Sequence, residues 1–344
     1  MDSQKTLSFN CERKFGVETE ICDFSHRDFK KHPLERGELP DGIDHIACLL
    51  GETLKTQIQT NKWHYTHNNE AWVLKPDSSC GIEICSPVFR GWHGLEKTCL
   101  ATYALSQDKR VSVDDRCGLH VHADVSDCTP EQIASILAYW IKCESVFLDC
   151  VPPNRKKNRY CQQIGLSPLF DIESPINHQS IVKKLGDVKY FTVNSYHMNR
   201  GNRQTLEWRI IEGKGCLDPY LVKNWVRLVV HFVDQAKARG LPKQYIAGDP
   251  WSSLCWLDPM DVMDFLGFFG PISKGLEETR NWFLARLASY LPNPCVGIFS
   301  PEARSVSKKQ IDEIIARLGI GGNIATILNP PDMKAVLFNS ETRV

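Results

Sequence analysis

The sequence has no uninterrupted apolar run of about 18 residues, which a membrane-spanning helix would need. It also has no excess charge of one sign: 41 Lys and Arg residues balance 41 Asp and Glu residues. No global field therefore attracts DNA, RNA or an anionic membrane. Residues 1–10 lack the apolar core of a signal peptide, so we expect a cytoplasmic chain with neither a membrane nor a nucleic-acid partner. The sequence leaves the oligomeric state open.

Two common nucleotide-binding patterns are also missing, because the chain contains neither GxxxxGK[ST] nor a GxGxxG that follows a strand. The 14 cysteines form no zinc pattern: no two are spaced as CxxC, and the nearest pair, Cys80 and Cys85, does not repeat with partners as in a zinc ribbon. In a reducing location such cysteines are mostly small buried side chains.

The composition is that of a globular protein, with 42% hydrophobic and 24% charged residues. The length of 344 residues predicts about two domains, or one large domain with an appendix. Strands alternate with helices up to about residue 240, and helix and loop follow. We therefore predict a domain of strands and helices at 10–240 and a helical accessory region at 241–344. The basic stretch 151–160 is interpreted as a solvated loop, with reception of an anionic substrate or tRNA as the alternative.

Three helices can be predicted from periodicity and capping. Residues 41–60 carry apolar side chains at helical spacing. Thr129 and Gln132 form a capping box for a second helix. A third and longer helix opens at Asp218 and ends near Gly240.

The first cluster of acids lies in the strand-like segment FGVETEI. Side chains alternate along a strand, so Glu18 and Glu20 project from one face. Two neighbouring carboxylates repel each other unless a cation lies between them, which suggests a metal site. A solvated edge strand with polar residues outward is the alternative for this segment alone.

Three further strand-like segments repeat the pattern of one apolar and one polar face. Glu83 lies opposite Ile82 and Ile84 in GIEICSPV. His120 and His122 share the polar face of CGLHVHAD, an arrangement that can direct two imidazoles at one ion or consist of two structural histidines. Glu207 and Arg209 share a face of TLEWRIIE and can also simply pair with each other.

One sheet can gather these acids and histidines on one concave surface, with the arginine beside them. Five or more ligands of this kind are too many for one ion. Hard oxygen ligands prefer hard cations, so the set suits two or three Mg²⁺ or Mn²⁺ ions that hold a polyphosphate.

The ordered motifs FGVETE, DSSCGIEICSPV, CGLHVHAD and TLEWRIIEG resemble the amidoligase family of the glutamine synthetase and glutamate–cysteine ligase superfamily, over residues 15–212. The resemblance implies an α+β fold with a glutamine synthetase-like curved, largely antiparallel sheet and packed helices. It also implies an ATP-dependent, ADP-forming ligase that joins a small-molecule or peptide carboxylate to an amine, with Mg²⁺ or Mn²⁺.

The resemblance also assigns roles to residues. The metal ligands that it implies are Glu18, Glu20, Glu83, His120 and Glu207. The ATP contacts that it implies are His122, Arg209 and Glu212. The catalytic arginines that it implies are Arg209, Arg203 and Arg200. The catalytic base and the adenine site have no recognisable counterpart.

Two other functions remain open from the residues. A single-metal hydrolase or oxygenase would use His120, His122 and one glutamate, but would leave Glu18, Glu20 and Arg209 without roles. A catalytically silent binding protein on the same fold is the other alternative, and the intact set of acids argues against it.

Overall fold

The computed structural model describes residues 12–26, 31–32, 34–35, 37–62, 68–164, 183, 185, 187–201, 203–240, 276–290, 308–317 and 324–330. In this part of the chain seven strands form one sheet in the order β2-β3-β4-β1-β5-β7-β6. The strands are β1 Phe15–Cys22, β2 Ile58–Thr60, β3 Trp72–Asp77, β4 Gly81–Cys85, β5 Gly118–Asp124, β6 Val193–Asn194 and β7 Thr205–Glu212. The pairs β1–β4, β3–β4 and β6–β7 are antiparallel, and β2–β3 is parallel.

Helices accompany the sheet. They are α1 Ile43–Leu54, α2 Gly91–Gln107, α3 Pro130–Asp149, α4 Pro153–Lys156, α5 Tyr196–Asn199, α6 Pro219–Arg239, α7 Glu277–Tyr290, α8 Lys308–Arg317 and α9 Ile324–Leu328, with a 3-10 helix at Gly213–Leu217. A mixed α+β fold with a mostly antiparallel sheet is thus confirmed, whereas its likeness to glutamine synthetase stays a prediction.

The chain divides into two compact units. The first unit comprises Met1–His122, Ile211–Val226 and Asn329–Val344, and the second comprises Ala123–Ile210 and Arg227–Leu328. Strands β5 and β7 contribute residues to both units. The predicted division at residue 240 stays a prediction, and much of 241–344 lies outside the described residues.

The core of the first unit forms where α1 and α2 pack on the apolar side of β1, β3 and β4. Ile21, Leu74 and Ile84 belong to one buried cluster with Ile46 and Leu50 of α1. These side chains alternate with polar ones along each strand, so the opposite side of the same strands carries the acids.

Helix α1 is shorter than the 41–60 predicted from periodicity. Lys55 adopts a left-handed conformation at φ 53° and ends the helix after Leu54. Ile58, which continues the helical spacing, instead pairs with Trp72 in the parallel β2–β3 ladder. A tertiary strand pairing has therefore replaced the last turn of the predicted helix.

The second unit has an aromatic core. Trp140 of α3 stacks on Phe147 at 4.3 Å between ring centroids and meets Trp208 of β7 edge-on at 6.1 Å. Phe232 of α6 and Phe283 of α7 both contact Phe147 edge-on at 5.8 Å. Helix α7, which lies beyond residue 240, thus packs against α3.

Helix α3 begins as predicted. Gln132 N–H donates to Thr129 Oγ1, and Thr129 N–H donates to Gln132 Oε1, which completes the capping box. Further along, the buried carboxylate of Glu144 accepts the N–H of Ile164 at 2.9 Å and the hydroxyl of Thr192. Burial raises the pKa of Glu144 to about 8.

The basic stretch 151–160 is not a fully solvated loop. Arg155 is buried and donates from its guanidinium to the backbone oxygens of Arg209 and Ile210, at 2.6 and 3.2 Å. Lys156 is also buried and lies 2.9 Å from Asp149. The interpretation as a solvated loop is wrong for these two residues, because their charges are used to hold β7 and α3.

No helix within the described ranges is both long and apolar enough to span a bilayer.

Candidate active site

The acids of the first unit lie on the side of the sheet opposite the apolar core. In the antiparallel ladders, Glu20 lies directly opposite Glu83, and Glu83 lies directly opposite Lys75. Residues opposite each other in a ladder project to the same face, so three adjacent strands place charged side chains side by side. Glu18 occupies the next position on this face, opposite Cys85.

Both histidines of β5 reach the glutamates of β1. His120 Nδ1 lies 3.7 Å from Glu18 Oε2, and His120 Nε2 lies 3.7 Å from Glu20 Oε1. His122 Nε2 lies 3.2 Å from Glu18 Oε1. All four side chains are buried. The structure therefore brings together four of the residues that the strand pattern predicted, on one face of the first unit.

Glu83 joins this group from β4. Ligand atoms of Glu18, Glu83 and Cys85 all lie within 4.8 Å of one another, and Cys85 Sγ donates to Glu83 Oε1 at 3.5 Å. A second set of ligand atoms with the same spacing comprises Glu20, Asp77 and Cys80. Neither Cys85 nor Asp77 was among the predicted site residues.

Lys75 is the main residue of the site that the sequence analysis missed. Its side chain is only 2% exposed, and its Nζ lies 3.2 Å from Glu83 Oε1. Burial alone would lower the pKa of Lys75, but the Glu83 carboxylate raises it overall, so the ammonium stays charged. The alternation Lys75, Asp77 along β3 was visible in the sequence, whereas the register that places it beside Glu83 was not.

The carboxylates of this group differ in pKa. Burial raises the pKa of Glu18, but the charge of His122 and hydrogen bonds from both histidines outweigh it and hold this pKa well below its usual value. Burial, followed by the negative charge of Glu18, raises the pKa of Glu83 well above its usual value. Two buried carboxylates thus compete for positive charge within one small volume.

The donor set fits the hard divalent cations that the family resemblance implies. Carboxylate oxygens with one or two imidazoles suit Mg²⁺ or Mn²⁺, and the repulsion between Glu18 and Glu83 is relieved when a cation lies between them. The residues that can hold such ions in the first unit are Glu18, Glu20, Glu83, His120 and His122.

Glu207 and Arg209 lie in the second unit, on β7. Arg209 Nη1 donates to Glu207 Oε1, and the amide of Asn194, which lies opposite on β6, donates to Glu207 Oε2 at 3.2 Å. Arg209 Nε also donates to the backbone oxygen of Tyr160 at 3.3 Å, with its guanidinium 5.9 Å from the centre of the Tyr190 ring. The pairing that the sequence offered as the simple alternative is present, and the assignment of both residues to metal and phosphate stays a prediction.

The remaining predicted residues lie before β7 and at its end. Arg200 is exposed, and its guanidinium lies 4.3 Å from the centre of the Tyr196 ring. Arg203 is half-buried on the segment before β7. Glu212 is buried at the last position of β7, where strand alternation directs it away from the face of Glu207. Their roles with substrate or ATP stay predictions.

A family model described as "Putative amidoligase enzyme" matches residues 11–233. This match covers more than half of the 344 residues, so the chain belongs to the amidoligase family. The resemblance carried by the four strand motifs is thereby confirmed.

Among solved structures, the chain is similar to a bifunctional glutathione synthetase from Pasteurella multocida, with 10% sequence identity and a TM-score of 0.37. The alignment covers 97% of this chain and 50% of that one, so the chain spans about half the length of that structure. No curated protein matches the sequence.

Proposed function

We propose that this chain is an ATP-dependent carboxylate–amine ligase, which forms an amide or peptide-like bond through an acyl phosphate and releases ADP. The observation that supports it most is the buried group of carboxylates and imidazoles on one sheet face of an amidoligase-family chain. A hydrolase or oxygenase with one metal ion would need only the two histidines and one acid. Such a site would give no role to the other two glutamates of this group.

The proposed reaction has two steps. An oxygen of the substrate carboxylate attacks the γ-phosphorus of ATP, and the bond from that phosphorus to the bridging oxygen breaks to release ADP. The amine nitrogen then attacks the acyl carbon, the bond to the phosphate oxygen breaks, and the nitrogen loses a proton. When bound, Mg²⁺ or Mn²⁺ neutralises phosphate charge during the first step.

The residues of the first unit would hold these ions. Glu18, Glu83 and Glu20 supply oxygen ligands, and His120 supplies a nitrogen ligand. Lys75 holds the Glu83 carboxylate in place through its 3.2 Å contact. The family resemblance assigns Arg209 to the transferring phosphoryl group. A fixed cation at such a position stabilises the transition state by about 3 kcal/mol.

Trapping with hydroxylamine tests the chemistry without knowledge of the amine. The enzyme, ATP, Mg²⁺ and a panel of small-molecule and peptide carboxylates should give a hydroxamate, with ADP and phosphate as the other products. Formation of AMP and pyrophosphate would instead mean adenylation and a different class of ligase. If no carboxylate yields ADP, the proposed function fails.

Two variants test the residue assignment once a hydroxamate is observed. Glu20→Ala should remove turnover because it weakens ion binding, whereas Glu52→Ala, at an exposed position on α1, should leave it unchanged. Arg209→Lys should lower turnover more than ATP affinity, since lysine keeps the charge but loses the planar fork. If both site variants keep wild-type turnover, the residue assignment is wrong although the reaction class survives.

A further inference from the structure

Two turns of the second unit lie side by side, and each carries a cation next to a tyrosine. One turn follows α4 and contains Arg159 and Tyr160, and the other precedes β6 and contains Lys189 and Tyr190. The two tyrosine rings meet edge-on at 5.7 Å between centroids. Arg159 is an exposed member of the basic stretch 151–160, whose buried members hold β7 and α3.

Hydrogen bonds fix the two turns relative to each other. Gln162 N–H donates to Tyr190 O at 2.6 Å, and Thr192 N–H donates to Gln162 O at 2.9 Å. The buried carboxylate of Glu144 accepts from both segments, through the N–H of Ile164 and the hydroxyl of Thr192. The folded chain therefore sets the spacing of the turns before a ligand arrives, which lowers the entropy cost of binding.

An aromatic ring, and not a carboxylate, holds each of the two cations. The guanidinium of Arg159 lies 4.8 Å from the centre of the Tyr160 ring, and its Nη2 donates to the Tyr160 hydroxyl at 2.8 Å. The ammonium of Lys189 lies 5.3 Å from the centre of the Tyr190 ring. A ring attracts a cation but does not neutralise its charge. Among the described residues neither cation forms an ion pair, not even Lys189 with Asp187 two positions earlier.

Arg209 of β7 contacts both turns. Its Nε donates to the backbone oxygen of Tyr160 at 3.3 Å, and its guanidinium lies 5.9 Å from the centre of the Tyr190 ring. Glu207 accepts from Arg209 Nη1 and offsets the charge of this third cation. The family resemblance assigns Arg209 to the transferring phosphoryl group, so the two turns adjoin a residue that the resemblance places at the reacting atoms.

We infer that the two turns bind a substrate that carries two carboxylates besides the one that reacts, with one held by Arg159 and one by Lys189. This inference rests on the proposed ligase function. The reacting carboxylate lies at the γ-phosphate of ATP, so the anions held by the turns belong to the rest of the substrate. An acidic peptide or a small polycarboxylic acid supplies such groups, and fixed cations select them over neutral substrates.

The positions of the rings argue against a nucleic acid at this surface. Proteins bind single-stranded nucleic acid by stacking its bases on aromatic faces, whereas cations already lie over both of these rings. The balance of 41 basic and 41 acidic residues also gives no extended positive field for a polyanion. A ligand with a few carboxylates needs only the two cations.

Calorimetry on the full chain tests binding, with an acetylated tri-glutamate peptide and citrate as the two acidic probes. At least one should bind, with an affinity that falls as the ionic strength rises, whereas an acetylated tri-glutamine amide should not bind. The probe that binds distinguishes a peptide from a small acid. Absence of binding by both acidic probes would overturn the inference. Tighter binding of a short single-stranded RNA, lost on substitution of Arg159, would overturn it as well.

Variants locate the binding surface. Arg159→Gln and Lys189→Gln should each raise the Kd of the acidic probe about tenfold, because each removes one charged contact. Lys109→Gln removes an exposed lysine of the first unit and should leave the Kd unchanged. An acidic probe that binds both site variants as tightly as the wild type would show that its carboxylates are held elsewhere.

The hydroxamate assay separates this inference from the proposed function. Arg159→Gln should raise the KM for an acidic carboxylate and leave kcat nearly unchanged, since the cation holds a part of the substrate that does not react. If hydroxamate forms with the same KM in variant and wild type, the inference fails and the ligase function stands. If the acidic probe binds through both cations but no carboxylate yields ADP, the ligase function fails and the anion site stands.

Discussion

Lys75 lies with its ammonium group against Glu83, in a place with almost no contact with solvent. Removal of one member of a buried ion pair lowers the free energy of unfolding, because the other member is left without a compensating charge. The positive charge of Lys75 also acts on Glu18 and contributes to its lowered pKa. The residue thus supports two members of the site at once.

We expect Lys75→Met to lower the free energy of unfolding by about 3 kcal/mol, since it removes the charge that favours ionised Glu83 and leaves this carboxyl group buried, either charged without a partner or protonated. Lys14→Met, at an exposed position just before β1, should change it by less than about 0.5 kcal/mol. Urea denaturation of both variants without divalent ions measures the difference. Equal effects of the two substitutions would show that the buried pair does not stabilise the fold.

Glu144 gives the molecule a pH-dependent stability. Its pKa in the folded chain is about 8, against an ordinary value near 4.5, because burial disfavours the charged form. The folded state therefore holds this proton more tightly than the unfolded state. Its contribution to stability is complete below pH 4.5 and is lost as the pH rises towards 8.

Glu144→Gln should remove this dependence, because the amide does not titrate. Relative to the variant, the wild type should lose about 3 kcal/mol of unfolding free energy between pH 5.5 and 8. Urea denaturation of both proteins at several pH values measures the change. Parallel curves for the two proteins would contradict the prediction.

The β3–β4 hairpin depends on one glycine. Gly81 has φ +133°, and a Cβ at this position would lie 2.5 Å from the backbone nitrogen of Asp23. Gly91 also has a positive φ, +64°, but nothing lies within 4 Å of its Cβ position. The two positions therefore separate a steric collision from backbone strain alone.

Gly81→Ala should destabilise the protein by about 3 kcal/mol or more, because it combines both costs. Gly91→Ala should cost only about 1 kcal/mol, the strain of a positive φ for a residue with a Cβ. Thermal unfolding of the two variants provides the comparison. If the Gly81 and Gly91 variants unfold at the same temperature, the hairpin can move away from β1.

Elements with a clear period or cap were predicted well from the sequence. The alternation of polar and apolar residues predicted β1, β5 and β7 to within one residue. The end of β4 differed, at Cys85 instead of Val88, and the short strands β2 and β6 were not predicted. Helix α2 was missed because its buried side includes Thr98 and Thr102, whose hydroxyls donate to the backbone four residues earlier. A threonine whose hydroxyl bonds to its own helix can be buried, so the buried side of the helix does not appear as a regular spacing of apolar residues in the sequence.

The sequence predicted part of the group of acids and histidines on this sheet face, but not the residues around it. Strand parity found Glu18, Glu20 and the histidines, because parity is a property of one strand. Lys75 and Asp77 depend on the register between β3 and β4, which one strand does not specify. Burial of Arg155 likewise depends on the backbone of a strand 50 residues further along the chain.

For the molecule as a whole, helix α7 couples residues beyond 240 to the region matched by the family model. Arg286 Nε donates to the backbone oxygen of Cys150 at 2.9 Å, and Arg227 Nη1 lies 3.0 Å from Glu278. Together with the Phe147–Phe283 contact, these bonds belong to the core of the second unit.

A chain that ends at residue 240 should therefore melt at a lower temperature than the full chain and give less soluble protein, because its α3 loses the cover of α7. Phe283→Ala in the full chain should cost about 3 kcal/mol through the same contact. Thermal unfolding and soluble yield measure both. A shortened chain as stable as the full one would establish 10–240 as an independent domain.

The discontinuity of the first unit has a consequence for synthesis on the ribosome. Glu18 and Glu20 emerge early, but Ile211–Val226 of their unit follows only after more than half of the chain has been added. Contacts between such distant segments form slowly, and apolar strands stay accessible meanwhile. We expect ribosome-bound chains that stop short of Ile211 to associate with chaperones more strongly than chains arrested after Arg239.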